Sequence, residues 1–537
     1  MKNYESINRI PDLVVVGGDK GWFECQREGD VFSCEIGTVS FRKQGNALAV
    51  LLNGAEGVSR IKLRFRGDYS GIEKVYADMW TVGLGYLGWY PVGENKAMPW
   101  YFCAIEDGVT DGYGVKTGCN SIACFQLDSC GLCLWLDVRN GGDGLYRKDE
   151  LVCAEIVERS GEKGETPFDA CRSFCKIMCE KPALPKRPVF GLNNWYYAYG
   201  NLTRESILKD AELCGELGSD ANFKPYMLVD DGWQLLHDKD YNGAPFVSSE
   251  KIGDMKTLAE EIEKLGALPG VWIRPLLTKD ELPEECYSPD HKQIGGGKVL
   301  DASNPQSLEY ISEMVKKIIN DGYKMIKYDF TAPDYMGGNC VHHYQAQAGW
   351  HFTDRSKTNA EIIKNLYRTI KDAAGDAVVM GCNTYNHLSA GINNIQRSGS
   401  DTSGMIWDFT RQEGINALSM RLHQNGVFFA TDPDCPAFTP AVSHEYNMRF
   451  LELACDCDVS IFASIVPGIL NPEYKTRARA AFKRASERHS TQPVDWTTHI
   501  NPTKFITDGN EKVYNWYDLS DGVNLFGETG FYMNRKK

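Results

Sequence analysis

Two hydrophobic periods divide the chain. Up to about residue 185, short apolar–polar alternations recur at 21–25, 31–36, 47–52, 59–65 and 132–138, with turn residues between them. A period of two puts alternate side chains on one face of a strand, so this region predicts an antiparallel β-sandwich. A helical pattern follows at 167–179, where Cys171, Cys175 and Cys179 recur every fourth residue and share one face. The series lacks the CxxC pairs of a metal site, and it predicts helix core. The proline-rich run Lys181-Pro182-Ala183-Leu184-Pro185-Lys186-Arg187-Pro188 then marks a boundary.

Beyond it, strand-like runs alternate with helical ones. The strands are 189–195, 225–230, 270–275, 324–329, 377–382, 393–399, 427–431 and 459–464. The helices between them include 204–217, 255–265, 305–320, 360–374, 409–424 and 443–455, and a last one is expected at 472–489. Eight strands in strict alternation predict a (β/α)8 TIM barrel, because a doubly wound sheet rarely carries so many units. The β-rich runs 513–517 and 522–526 suit a small antiparallel sheet. The expected division is therefore a β-sandwich at 1–185, the barrel at 186–489 and a β-domain at 490–537.

Composition narrows the partners. The net charge of −14 and pI near 5.3 repel phosphate backbones, which argues against nucleic acid. No run reaches the length of a spanning helix, and the N-terminus lacks a signal-like apolar segment, so no membrane partner is expected. The 18 cysteines include several inside apolar strand runs, which predicts buried thiols in a reducing, cytoplasmic compartment. Gly83-Leu84-Gly85-Tyr86-Leu87-Gly88 matches GxGxxG literally, but Trp89-Tyr90-Pro91 follows instead of a helix, so no dinucleotide site is expected. His342-His343 has no carboxylate at zinc spacing. Neither a metal nor a cofactor is expected.

Barrel enzymes place their chemistry at the C-terminal ends of the strands. In order, those ends offer Trp195; Asp230, Asp231 and Trp233; Trp272 and Arg274; Lys327 and Asp329; Cys382 and Asn383; Arg397 and Asp401; Asp432 and Asp434. Carboxylates accept hydroxyl protons and indoles stack on apolar sugar faces, so the set suits carbohydrate. Lys327 and Asp329 point to one side of a strand, where the ammonium would favour an ionised carboxylate. Asp401 lies in a Gly-Ser-Asp-Thr loop, where burial would make it an acid. Two carboxyls in different environments are what acid–base glycoside chemistry requires. The same aspartates could instead cap helices or shape turns.

Four segments carry a family resemblance. Tyr226-Met227-Leu228-Val229-Asp230-Asp231-Gly232-Trp233 resembles the DDGW strand of clan D glycoside hydrolases. Lys324-Met325-Ile326-Lys327-Tyr328-Asp329-Phe330 is similar to the nucleophile strand. Gly381-Cys382-Asn383 and Arg397-Ser398-Gly399-Ser400-Asp401-Thr402 are similar to the cysteine strand and the R-x-G-P-D-T acid/base strand. In this order the chain resembles the melibiase-type α-galactosidases of glycoside hydrolase family 36, over its whole length. The resemblance implies a retaining exo-hydrolase of terminal α-galactosyl residues in small-molecule galactosides or oligosaccharides, with Asp329 as nucleophile and Asp401 as acid/base. It implies that Asp230 and Asp231 grip O4 and O6. Lys327 and Arg397 would hold hydroxyls and the nucleophile's charge, Cys382 would line the O2 side, and Trp195 and Trp272 would wall the sugar site. A sandwich tryptophan, Trp80, Trp89 or Trp100, would also reach substrate. N-Acetylgalactosamine, L-arabinopyranose or a charged galactose could use the same machinery, and a relative without catalysis would bind sugar only.

The chain departs from the pattern at Ser400, at Ser403-Gly404 and at Arg274, which replaces a small residue. A guanidinium there could recognise a substrate anion or pair with Asp230 or Asp329.

Overall fold

The structure, a computed structural model, describes residues 6–237, 241–243, 246–289, 293–336 and 348–520. Two antiparallel sheets, of seven and nine strands, occupy residues 13–159. The long strand Ala55–Arg66 centres the first, pairing Leu63 with both Val14 and Leu134. Phe102 of the second sheet packs edge-on against Phe125 of the first, 5.6 Å between ring centres. Helix Pro167–Met178 starts where the Thr166 side chain accepts from the Asp169 N–H, and its Cys171, Phe174 and Cys175 are buried. Gly112 lets it approach, because a Cβ there would lie 2.2 Å from the Phe174 ring.

The parallel sheet consists of β1 (Phe190–Asn193), β2 (Tyr226–Val229), β3 (Leu268–Ile273), β4 (Met325–Tyr328), β5 (Val378–Gly381), β6 (Ile395–Arg397), β7 (Ala430–Asp432) and β8 (Ile461–Ile465). Its strands lie in sequence order from β7 back to β1, then β8, and the short strand Ala437–Phe438 follows β8. Every residue of β1, β2, β4, β6 and β8 is buried, as expected of parallel strands covered on both faces. The Ser460 N–H donates to the Thr431 carbonyl at 2.9 Å, which ties the β8 end of the sheet to the β7 end. Helices Arg204–Leu217 and Pro305–Asn320 have the predicted bounds, and capping residues start them: Thr203 in a capping box and Asn304 ahead of a proline.

The helix expected at 409–424 is broken into Trp407–Phe409, a π-helix at Thr410–Ile415, Asn416–Met420 and a 3-10 turn at Leu422–Gln424. The widened turn coincides with close packing: Thr410 Oγ1 donates to the Ser403 carbonyl at 3.1 Å, and the Glu413 carbonyl lies on Gly399. The helix expected to end at 489 stops at Ala485, and His489 Nδ1 instead meets Asp508 at 2.8 Å. A three-stranded sheet, Thr491–Pro493, Lys504–Thr507 and Asn510–Val513, follows. The run at 522–526 lies outside the described residues, as do His342 and His343. Among the described residues every cysteine is a free thiol, and no helix is long and apolar enough to cross a membrane.

Candidate functional site

The C-terminal ends of the parallel strands bring most of the predicted residues together. Adjacent register seats Trp272 beside Lys327 and Tyr328 beside Gly381. Asp329 follows β4 directly. Its carboxylate accepts from the Phe330 N–H at 2.6 Å, from Asn383 Nδ2 at 2.8 Å and from Trp272 Nε1 at 3.3 Å. Phe330 and Asn383 hold left-handed backbones, φ 62° and 52°, that aim these donors. Such conformations cost free energy in non-glycine residues and cluster at functional sites. Asn383, a strand-end residue, thus acts as a donor to Asp329.

Lys327 corrects an expectation. Its ammonium pairs with Asp230 at 2.8 Å, where Asn193 Nδ2 also donates at 2.5 Å, so its ion pair is with Asp230 and not with Asp329. Burial alone would pull the Lys327 ammonium down, but the Asp230 charge outweighs it and holds the group well above its ordinary range. Asp231 Oδ2 accepts from Asn242 Nδ2 at 3.2 Å, and Asp231 Oδ1 lies 3.3 Å from His237 Nδ1.

Asp401 also differs from expectation. Its side chain is 45% exposed and not buried in its loop. Arg397 Nη2 donates to it at 3.0 Å and meets Asp434 at 2.7 Å. Asp434 is the anchor of this loop. It also accepts from the Thr402 N–H at 2.8 Å and from the Tyr196 hydroxyl, which ties the loop after β6 to the loop after β7. Glu413, on the π-helix behind Asp401, has its carboxyl pushed up to about 8, by burial first and by the Asp401 charge second. Asp432 rises to about 6, mainly through burial. Cys382 is buried, with Arg397 Nη1 3.9 Å from its sulfur.

Arg274 pairs with neither Asp230 nor Asp329. It forms a buried fork with Asp334, Nε to Oδ2 at 3.0 Å and Nη2 to Oδ1 at 2.5 Å, and lies on the Phe330 ring at 4.2 Å. Its charge is matched inside the protein, which removes the reason to expect an anionic substrate. Trp195 begins the turn after β1 and is half-buried against Tyr199. Of the three sandwich tryptophans, Trp89 and Trp100 are packed in the core at 7% and 0% exposure. Trp80 stays half-buried, and its carbonyl accepts from the Asn386 N–H, on the loop after β5, at 2.7 Å.

The GxGxxG segment has a structural task. Gly83 N–H donates to the Ser398 carbonyl at 2.8 Å, and Ser400 N–H donates to the Gly83 carbonyl at 2.9 Å. The sandwich loop thus runs beside the loop that carries Asp401. Behind it, Arg421 and Asp78 form an ion pair at 2.7 Å with both side chains at most 1% exposed.

A cavity of about 540 Å³ opens at the opposite strand ends, beside Val189, Ala430 and Ser460, and none of the predicted site residues lines it. The strand-end chemistry described above, and not cavity size, marks the candidate site. Among the described residues no cluster of three or more His, Cys, Asp or Glu side chains could hold a metal ion.

No protein-family model matches the sequence. Solved structures do match the fold. The α-galactosidase TtGalA of Thermus thermophilus, in complex with p-nitrophenyl α-D-galactopyranoside, aligns over 94% of this chain and 99% of its own, at 16% identity and TM-score 0.59. A variant of the GH36 α-galactosidase AgaA of Geobacillus stearothermophilus, in complex with raffinose, aligns over 94% and 80%, at 13% identity and TM-score 0.60. An α-galactosidase from Lactobacillus brevis aligns over 92% and 76%, at 12% identity and TM-score 0.58. The chain has the fold of these enzymes.

Proposed function

We propose that this chain is a retaining exo-acting hydrolase of terminal α-galactosyl residues, with Asp329 as nucleophile and Asp401 as acid/base. The observation that carries the reading is Asp329. It is a carboxylate at a strand end, faced by three N–H donors, on the same rim as a second carboxyl held by Arg397. The fold match to α-galactosidases points the same way. In the first step an Asp329 oxygen bonds to the anomeric carbon, the glycosidic C–O bond breaks, and the Asp401 proton passes to the leaving oxygen. In the second, Asp401 takes a proton from water as that water attacks the anomeric carbon and the ester breaks, which restores both carboxyls. A retaining site needs its carboxyls roughly 5 to 5.5 Å apart.

In the same reading the parallel sheet closes into a (β/α)8 barrel at 186–489, between a β-sandwich at 1–185 and a small β-domain at 490–537. The bond between Ser460 and Thr431 supports closure. Asp230 and Asp231 would bind hydroxyls, with Lys327 orienting Asp230. Trp272 would wall the sugar site while it holds the nucleophile.

The test is hydrolysis of nitrophenyl α-galactoside, with the anomer of the first product read by NMR. Retention is expected. Asp329→Ala should lose at least about a thousand-fold in turnover and regain part of it with azide, giving the inverted azide adduct. An inverted product from the unmodified protein, or an Asp329→Ala variant that keeps its activity, would refute the reading.

A further inference from the structure

Arg274 stands where the resemblance expects a small residue, and the structure gives it a buried partner on one side and a half-buried one on the other. Asp334 takes two of its nitrogens, and a third, Nη1, donates to Asn242 Oδ1. Asn242 Nδ2 in turn donates to Asp231 Oδ2 at 3.2 Å. Hydrogen-bond inventory fixes the direction of this chain. A guanidinium has donors only, and an ionised carboxylate has acceptors only. An amide between them has one orientation that satisfies both, with oxygen toward Arg274 and N–H toward Asp231. The fork to Asp334 keeps the guanidinium planar and in place, because bidentate arginine–carboxylate pairs combine geometric specificity with charge.

We infer that Asp334, Arg274 and Asn242 form a positioning relay that fixes the orientation of the Asp231 carboxylate and so sets how strictly the site reads one sugar hydroxyl. This rests on the function proposed above, in which Asp231 binds such a hydroxyl. The relay leaves Asp231 Oδ1 without a hydrogen bond of its own among the described residues, 3.3 Å from an equally unpaired His237 Nδ1. One oxygen is therefore tied and the other remains to accept. Specificity follows because a hydrogen-bonding site rejects an analogue that lacks the hydroxyl only while its own acceptor is held in position.

The variant to test is Asn242→Ala, because Asn242 makes no contact with Asp329, whereas Arg274 lies on Phe330, whose N–H the nucleophile accepts. The readout is a ratio: kcat/KM on nitrophenyl α-galactoside over kcat/KM on its 6-deoxy and 4-deoxy analogues. Asn242→Ala is expected to shrink one of the two ratios at least five-fold and leave the other within two-fold. Asn242→Asp, which turns an acceptor toward Asp231, should shrink the same ratio further. Arg274→Lys, which cannot make the fork, should move it in the same direction. Equal loss on all three substrates would make Asn242 merely structural and overturn the relay. A failure of the unmodified protein to hydrolyse any galactoside would sink the proposed function instead. Calorimetric affinities for galactose and the two deoxygalactoses would then still decide the relay, by the same ratio.

Discussion

Removing Arg421 tests how the sandwich holds the loop that carries Asp401. The guanidinium donates to Asp78 at 2.7 Å, to the Ser398 carbonyl at 2.6 Å, to the Thr81 carbonyl at 2.8 Å and to the Met79 carbonyl at 3.3 Å. In Arg421→Met each carbonyl keeps another donor: Gly83 N–H for Ser398, Asn386 Nδ2 for Thr81, and Trp100 Nε1 for Met79. Asp78 keeps one, Gln424 Nε2 at 2.9 Å, and loses its counter-charge. The loss is therefore dominated by one buried, uncompensated carboxylate, about 3–5 kcal/mol. The double variant Asp78→Asn/Arg421→Met removes that charge while Gln424 still has an acceptor, and should recover at least half of the loss. Urea unfolding followed by tryptophan fluorescence reads both, as the shift of the first transition. The reasoning is refuted if Arg421→Met costs less than about 1 kcal/mol, the range of an exposed pair, or if the double variant is no more stable than the single one.

Two further outcomes are expected. Burial holds His387 and His423 neutral, each with its pKa lowered from 6.5 to about 3, so the unfolded chain takes up protons first. Their contribution is complete above pH 6.5 and is lost as pH falls toward 3, with a slope of up to about 1.4 kcal/mol per pH unit for each. A His387→Gln/His423→Gln variant should show a flatter stability profile across that window by urea titration at stepped pH. Gly399→Ala would put a Cβ 2.3 Å from the Glu413 carbonyl and displace the Asp401 loop. It should lower kcat on raffinose, whose leaving group needs a proton, at least about ten-fold more than on nitrophenyl galactoside.

The alternation of periods made the sheet and most helices legible, because a parallel strand must be apolar on both faces and a covering helix on one. Helices 204–217 and 305–320 were exact since caps and prolines punctuate them locally. The 409–424 segment was not: its apolar spacing reads as one helix, while the π turn coincides with packing on Gly399, a contact that sequence does not record. Strand position predicts Asp230, Lys327, Asp329 and Arg397 at the C-terminal ends of the parallel strands, where they lie. Partner choice was misread wherever it depended on cross-strand neighbours. Lys327 lies two residues from Asp329 in sequence but pairs with Asp230 across the sheet, and Arg274 found Asp334, which no strand-end rule singles out. Trp89 and Trp100 pack in the core, because an indole in a β-sandwich is as easily core as rim.

The pairing of Gly83 with the Asp401 loop bears on how such a chain can be recombined. Part of the wall around the Asp401 loop is encoded some 300 residues upstream of it, in a loop between two strands of the nine-stranded sheet. A chimera that joins the two antiparallel sheets of one chain to the parallel sheet of another at the proline-rich run would sever Gly83 from Ser398 and Asp78 from Arg421 together. Residues 78–88 and 398–424 therefore form a single inheritance unit. The proline-rich run is a seam in covalent structure but not in the site, and an exchange that respects the site must carry both segments from the same parent.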